Sequence, residues 1–265
     1  MKAKHNLICG LLLSFLSLSK SASTQRIDSS RNRSVTAIYE YNKFSESSNY
    51  HWQLASLEYK GPVGQTTVVG RVNFADRWGN TGWQAELDAY PRISKKVYAY
   101  TSIGAAPNAL VFPKWRAGAS LYFNLPMGIE LEGGARYLHF SEDLWMLTAG
   151  VGKYLGNWLF QGRSFLSLRN NLGADHSFAF TARYYLPSGK DFIWGQLGSG
   201  VSPDESQGAQ LQINNLHRYT VAGGVRTTIA GKYLLLATLG FARNEFRKDM
   251  FGEQLTGTIG YGIKF

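Results

Sequence analysis

From Ser34 to the C-terminus, apolar and polar positions alternate with a period of two. In residues 80–90, Trp83, Ala85, Leu87 and Ala89 alternate with Gln84, Glu86, Asp88 and Tyr90. In 114–124, Trp115, Ala117, Ala119, Leu121 and Phe123 alternate with Lys114, Arg116, Ser120 and Tyr122. In 252–265, Leu255, Ile259, Tyr261, Ile263 and Phe265 alternate with Thr256, Thr258, Gly260 and Lys264. Side chains of a strand point alternately to its two faces, so each segment has one apolar face and one polar face. Helical periodicity is not evident after residue 23. Short turn signals such as "KGPVG", "RWGN", "NLP", "LGN", "PSGK" and "AGK" separate the segments. The pattern predicts about fourteen strands, with twelve as the alternative count. They fall at 34–44, 51–60, 64–75, 80–90, 96–106, 114–124, 127–140, 143–155, 157–169, 174–187, 190–201, 217–230, 232–246 and 252–265.

A soluble β-sandwich shows the same alternation. Four features favour a membrane barrel. The segments run 10 to 15 residues, against about five or six in soluble folds. Trp115 and Phe123 stand eight residues apart on one face, as do Tyr233 and Phe241. At about 3.3 Å per residue, with strand tilt, that spacing spans the apolar band of an outer membrane. Short connections ("GP", "PRISKK", "NLP", "LGN", "PSGK", "AGK") alternate with connections that are mostly longer ("SESSN", "APNALVF", "NNLGAD", "PDESQGAQLQINN"). Outer-membrane barrels pair short periplasmic turns with longer outer loops in this way, and an even strand count leaves both termini on the periplasmic side. Finally, the chain ends on "GTIGYGIKF". Ile259, Tyr261, Ile263 and Phe265 stand at every second position, which resembles the terminal signal read by the β-barrel assembly machinery. The expected fold is one all-β antiparallel transmembrane barrel in the cell outer membrane, with that machinery as a partner during insertion.

The first residues change the charge count. Lys2 and Lys4 precede an apolar run from Leu7 to Leu18, and "SAS" at 21–23 supplies small residues for cleavage. This predicts a signal peptide over 1–23, a short periplasmic lead-in at 24–33 and the barrel at 34–265. Cys9 leaves with the leader, so neither disulfide nor thiol chemistry is expected. The formal charge of +10 becomes +7 once the three leader lysines are subtracted. For an exported chain this favours outer-membrane lipid and lipopolysaccharide over nucleic acid. Of the basic residues expected near the outer rim, Arg77, Arg169, Arg243, Arg247 and Lys248 suit lipopolysaccharide phosphates or solvent. The histidines are scattered, so neither a metal nor a cofactor is expected.

The stretch 75–140 has a family look. "DRWGNTGWQAELDAYPRI", "YAYTSIG" and "FPKWRAGASLYFNLPMGIELEGGARYLHF" follow in order, and "GKYLGNW" and "SPDE" fit the same series. It resembles the YaiO-type outer-membrane β-barrel family. The resemblance implies a barrel in the outer membrane and no established reaction. Some relatives carry an N-terminal helical-repeat extension, for which fourteen strands leave no room here.

Two constellations bear on chemistry. The polar faces carry Arg71, Glu86, Asp88, Arg116, Glu130, Glu132, Arg136, Arg163 and Arg183, which predicts a lumen charge network. The "NLP" hairpin suggests that Arg116 lies near Glu130 or Glu132. Such a network either fills the lumen or forms a narrow channel that selects solutes by charge. Glu86 and Asp88 sit about 7 Å apart on one face, loosely an acid–base pair for glycoside chemistry, but any strand with two acids meets that test. The second constellation is "YLHFSED" at 137–143. His139 and Ser141 on the outer wall, with Glu142 or Asp143 as orienting acid, resemble outer-membrane lipid ester hydrolases of the phospholipase or lipid A deacylase type. The asparagine that typically follows the serine in those enzymes is missing. The leading expectation is a structural or narrow-channel barrel; the alternative is the hydrolase.

Overall fold

The computed structural model describes residues 33–45, 51–77, 79–169, 173–200, 217–247 and 249–265. The expected leader, most of the lead-in and the "SPDE" stretch lie outside the described residues. The described residues form fourteen strands. They are β1 (Ser34–Phe44), β2 (His51–Val63), β3 (Thr66–Arg77), β4 (Asn80–Tyr90), β5 (Val97–Ala105), β6 (Trp115–Leu125) and β7 (Ile129–His139). The second half comprises β8 (Asp143–Leu155), β9 (Trp158–Arg169), β10 (Gly173–Tyr185), β11 (Phe192–Ser199), β12 (Arg218–Ile229), β13 (Tyr233–Arg247) and β14 (Met250–Lys264). Each pairs antiparallel with its sequence neighbours, and β1 pairs with β14 to close the barrel. Closure leaves no strand without a neighbour on either side, so backbone polar groups of the wall pair strand to strand without water.

The period-two pattern becomes two wall surfaces. Outward residues include Leu57, Leu87, Ile103, Val151, Leu197 and Leu239, all exposed. Exposed apolar residues recur on strands all around the barrel, far more surface than a soluble monomer tolerates. Aromatic pairs mark both ends of this band. Phe74 packs on Trp83, and Tyr137 on Trp145, toward one end. Tyr233 stacks on Tyr261, and Trp158 packs on Tyr184, toward the other. Ile259, Tyr261, Ile263 and Phe265 all face outward and are exposed.

The end that carries both described termini has the tight turns. Gly64, Gly156 and Gly231 take positive φ there, at 60°, 57° and 66°. The opposite end is less uniform. The β3–β4 and β13–β14 connections are also tight, with Gly79 and Asp249 at positive φ. The β5–β6 connection is long and folds back into the barrel mouth. Val111 and Phe112 there are almost fully buried against inward-facing Ala75 and Leu54.

Candidate functional site

The site is the lumen wall, and cross-strand register decides which charges meet. Glu58, Arg71 and Glu86 are direct neighbours on β2, β3 and β4. Arg71 donates from Nε and Nη2 to Glu58 Oε2 at 3.2 and 2.8 Å, and from Nη1 to Glu86 Oε2 at 2.7 Å. Asp88 lies 3.8 Å from Arg71 Nη2 and accepts from the Tyr100 hydroxyl at 3.3 Å. Arg116 donates to the other oxygen of Glu86 at 2.7 Å.

The expectation that Arg116 meets Glu130 or Glu132 is corrected. In the β6–β7 hairpin Arg116 stands opposite Leu138, while Glu130 and Glu132 stand opposite Asn124 and Tyr122. Arg116 lies near the open end of that hairpin and the acids near its turn. Six residues on one strand separate Tyr122 from Arg116, about 20 Å of extended chain. Arg116 instead reaches over β5, where the intervening residue is Gly104. A Cβ at Gly104 would sit 2.8 Å from Arg116 Cγ and 3.1 Å from the Ala85 carbonyl oxygen. Gly150 plays the same part on β8: Arg163 Nε passes over it to Glu132 Oε2 at 2.8 Å.

The remaining predicted lumen residues also face inward. Glu132 accepts from the Tyr122 hydroxyl at 2.8 Å and Glu130 from the Tyr98 hydroxyl at 3.0 Å. Arg136 donates to Ser120 Oγ at 3.0 Å and to the Ala119 and Ala135 carbonyls at 3.1 Å, with its guanidinium 4.7 Å from the Tyr100 ring centre. Arg183 reaches the Tyr185 hydroxyl at 3.3 Å and lies 4.5 Å from the Phe192 ring centre.

Sequence reasoning missed the polar seam between β12 and β1. Arg218 donates to Asn244 Oδ1 at 2.8 Å and Gln254 Oε1 at 3.1 Å. Gln254 Nε2 donates to Asn42 Oδ1 at 2.8 Å, and Asn42 Nδ2 to Glu40 Oε1 at 3.0 Å. Period-two parity alone would have placed these residues inward. Between the seam and the ion pairs lies an internal cavity of about 260 Å³. Thr181, Gln196, Thr220, Thr238, Thr256 and Thr258 line it, with Glu40, Arg163 and Arg218.

At the outer rim, two expectations change. Arg77 does not face lipopolysaccharide or open solvent: it points inward and is buried. Its guanidinium lies 5.2 Å from the Trp52 ring and 5.7 Å from the Phe112 ring, and it donates to the Val111 carbonyl at 3.1 Å. It shares strand parity with Arg71, which turns it to the lumen. Arg243 does stay outside, against the Phe251 ring at 4.7 Å. The side chains of Arg169 and Arg247, and residue Lys248, lie outside the described residues.

The hydrolase constellation is not supported. His139 Nδ1 and Asp143 Oδ1 are 2.6 Å apart on the outer wall, and Tyr137 also donates to Asp143 at 2.8 Å. Ser141 sits exposed in the turn, and among the described residues its hydroxyl has no hydrogen bond to His139 or any other group. An imidazole that does not touch the hydroxyl cannot take its proton. The described residues hold no cluster of metal-ligating groups.

A closed antiparallel barrel with an apolar exterior, two aromatic girdles and a charged interior is a transmembrane β-barrel of the outer-membrane type. Solved outer-membrane barrels share the fold. The CymD monoaromatic hydrocarbon channel matches with a TM-score of 0.54 at 8% identity, over 93% of each chain. A bacterial polysaccharide outer membrane secretin matches at 0.52 and 7%, over 88% of this chain and 98% of that one. The Acinetobacter baumannii outer membrane protein Omp33 matches at 0.50 and 13%, again over 88% and 98%. No curated protein matches the sequence. Residues 32–205 match the YaiO membrane beta barrel domain, and the chain belongs to that family.

Proposed function

We propose that this outer-membrane barrel is a narrow channel for small hydrophilic solutes, with selection set by its lumenal charges. The observation that carries the reading is the uneven filling of the lumen. The Arg71, Arg116 and Arg163 ion pairs lie on β2 to β9. The cavity lies mainly against β9 to β14 and β1 and is lined by hydroxyls and amides. Its volume of about 260 Å³ is slightly below the range of about 300–1,000 Å³ of small-molecule pockets. A cavity of that size holds ions and small molecules and excludes polymers. The inward-folded Val111–Phe112 segment narrows the outer mouth further. Passing ions then meet fixed Glu and Arg side chains at short range, where charge discriminates strongly.

The test is reconstitution of the mature chain in planar lipid bilayers. Discrete conductance steps with a non-unit cation-to-anion permeability ratio are expected. Conductance no greater than that of protein-free membranes overturns the channel and leaves a structural barrel.

A further inference from the structure

Arg71, Arg116 and Arg163 each have a carboxylate partner at short range, but one arc of the lumen differs. Lys60 on β2, Lys264 on β14, Arg226 on β12 and Arg183 on β10 point inward near the periplasmic mouth. Lys60 and Lys264 flank the same residue, Ser34. Arg183 and Arg226 share one ring, with guanidinium carbons 4.5 and 6.0 Å from the centre of Phe192. Arg226 stands within Coulombic reach of Lys60, Lys264 and Arg183.

Two carboxylates are near, and both have other partners. Glu58 binds Arg71 through two hydrogen bonds. Asp191 accepts from Ser188 at 2.9 Å and from Thr228 at 2.8 Å. Lys264 Nζ donates to that same Thr228 hydroxyl at 2.6 Å. None of the four cations makes an ion pair within 4.0 Å among the described residues. Arg183 Nε is moreover buried with no hydrogen-bond partner.

Like charges held together in a confined lumen repel, and a buried unpaired guanidinium N–H is costly. A bound anion relieves both. We propose that this arc is a binding site for a soluble polyanion bearing two or more phosphate or carboxylate groups, entered from the periplasmic mouth. Two guanidiniums offer planar forks for such groups, and two ammoniums offer point charges. Phe192 gives both guanidiniums a ring to pack against. The site does not depend on conduction: a closed barrel with this arc binds the anion equally well.

The experiment uses the purified mature barrel in detergent at low salt, titrated calorimetrically with inorganic pyrophosphate and, separately, with citrate. Saturable binding that weakens steeply with added salt is expected. Binding falls at least tenfold in K60Q/R226Q. It persists in R243Q, which alters a cation on the outer wall. Heat-modifiable migration on gels verifies that each variant is folded, and K60Q alone serves if the double variant is not. K60Q and K264Q are also expected to raise the melting temperature without ligand, since each removes repulsion. Binding of pyrophosphate alone narrows the ligand to phosphates; binding of both anions assigns polyanions in general. No saturable binding of either anion, or equal affinity in parent and K60Q/R226Q, overturns the site whether or not the barrel conducts.

Discussion

Arg116 and Glu86 meet at 2.7 Å although a whole strand, β5, runs between them. Adjacent strands lie about 4.8 Å apart, so the guanidinium spans nearly 10 Å of wall to make the contact. It can do so because the residue beneath it is Gly104. The bridge is therefore encoded by three positions on one cross-strand line, not by two.

G104L is expected to destabilise the barrel by roughly 1–3 kcal/mol, the usual cost of forcing bulk into a packed site. G133A is the control, because a Cβ there meets nothing within 4 Å. Urea unfolding in lipid vesicles measures both, and equal midpoints for the two variants would contradict the bridging role.

Removing the acid is predicted to cost more than blocking its access. Glu86 serves both Arg71 and Arg116 and its side chain is only 6% exposed. E86A leaves two arginines without that counter-charge. Because both retain some solvent contact, the loss should fall near the low end of the about 3–5 kcal/mol seen for broken buried pairs. A destabilisation smaller than that of G104L would show that the pairs are individually dispensable.

F112A tests the mouth. Phe112 packs beside Arg77 and Ala75 and fixes the β5–β6 connection inside the lumen. If the channel reading holds, single-channel conductance rises in the variant and selectivity changes little. Unchanged conductance would place the narrowest point elsewhere.

Leu239 and Thr238 are neighbours on β13 with opposite surroundings. Leu239 is 70% exposed on the outer wall, and Thr238 lines the cavity. L239R is expected to cost about 2–4 kcal/mol, as for arginine near a bilayer midplane. T238R should fold nearly as well as the parent and instead reduce conductance. Vesicle refolding and bilayer recording separate the two outcomes.

S141A should behave as the parent in folding and in lipid composition. Fatty acid release from mixed phospholipid micelles is expected to stay at the level of the no-protein control for both. Release by the parent that S141A abolishes would revive the hydrolase.

Much of this was legible in the sequence, and the reasons differ by level. Strand existence followed from period two, because lipid on one side and charge on the other leave little freedom. Ends moved by a few residues: 190–201 contracted to Phe192–Ser199, and 64–75 shifted to Thr66–Arg77. Inward placement of Arg71, Glu86 and Arg163 followed from the same parity. Pairing did not, because parity fixes a face and leaves height along the barrel open. The β6–β7 turn puts Arg116 opposite Leu138, and counting back from "NLP" would have separated it from Glu130. The burial of Arg77 was equally available from parity but was obscured by its place beside a turn. The folding inward of Val111 and Phe112 was not available, since a loop has no period to read.

The seam has a consequence for how the chain reaches this state. Gln254 hydrogen-bonds Asn42 across 212 positions of sequence. Contacts that distant are entropically slow to form. Until β14 arrives, Asn42 and Glu40 lack the partners that β14 supplies. The earlier strands can line up as hairpins, but the β1–β14 pairing that closes the cylinder forms only when the last strand arrives. A chain cut short before β14 leaves an open sheet with two raw edges, a natural substrate for periplasmic chaperones and proteases.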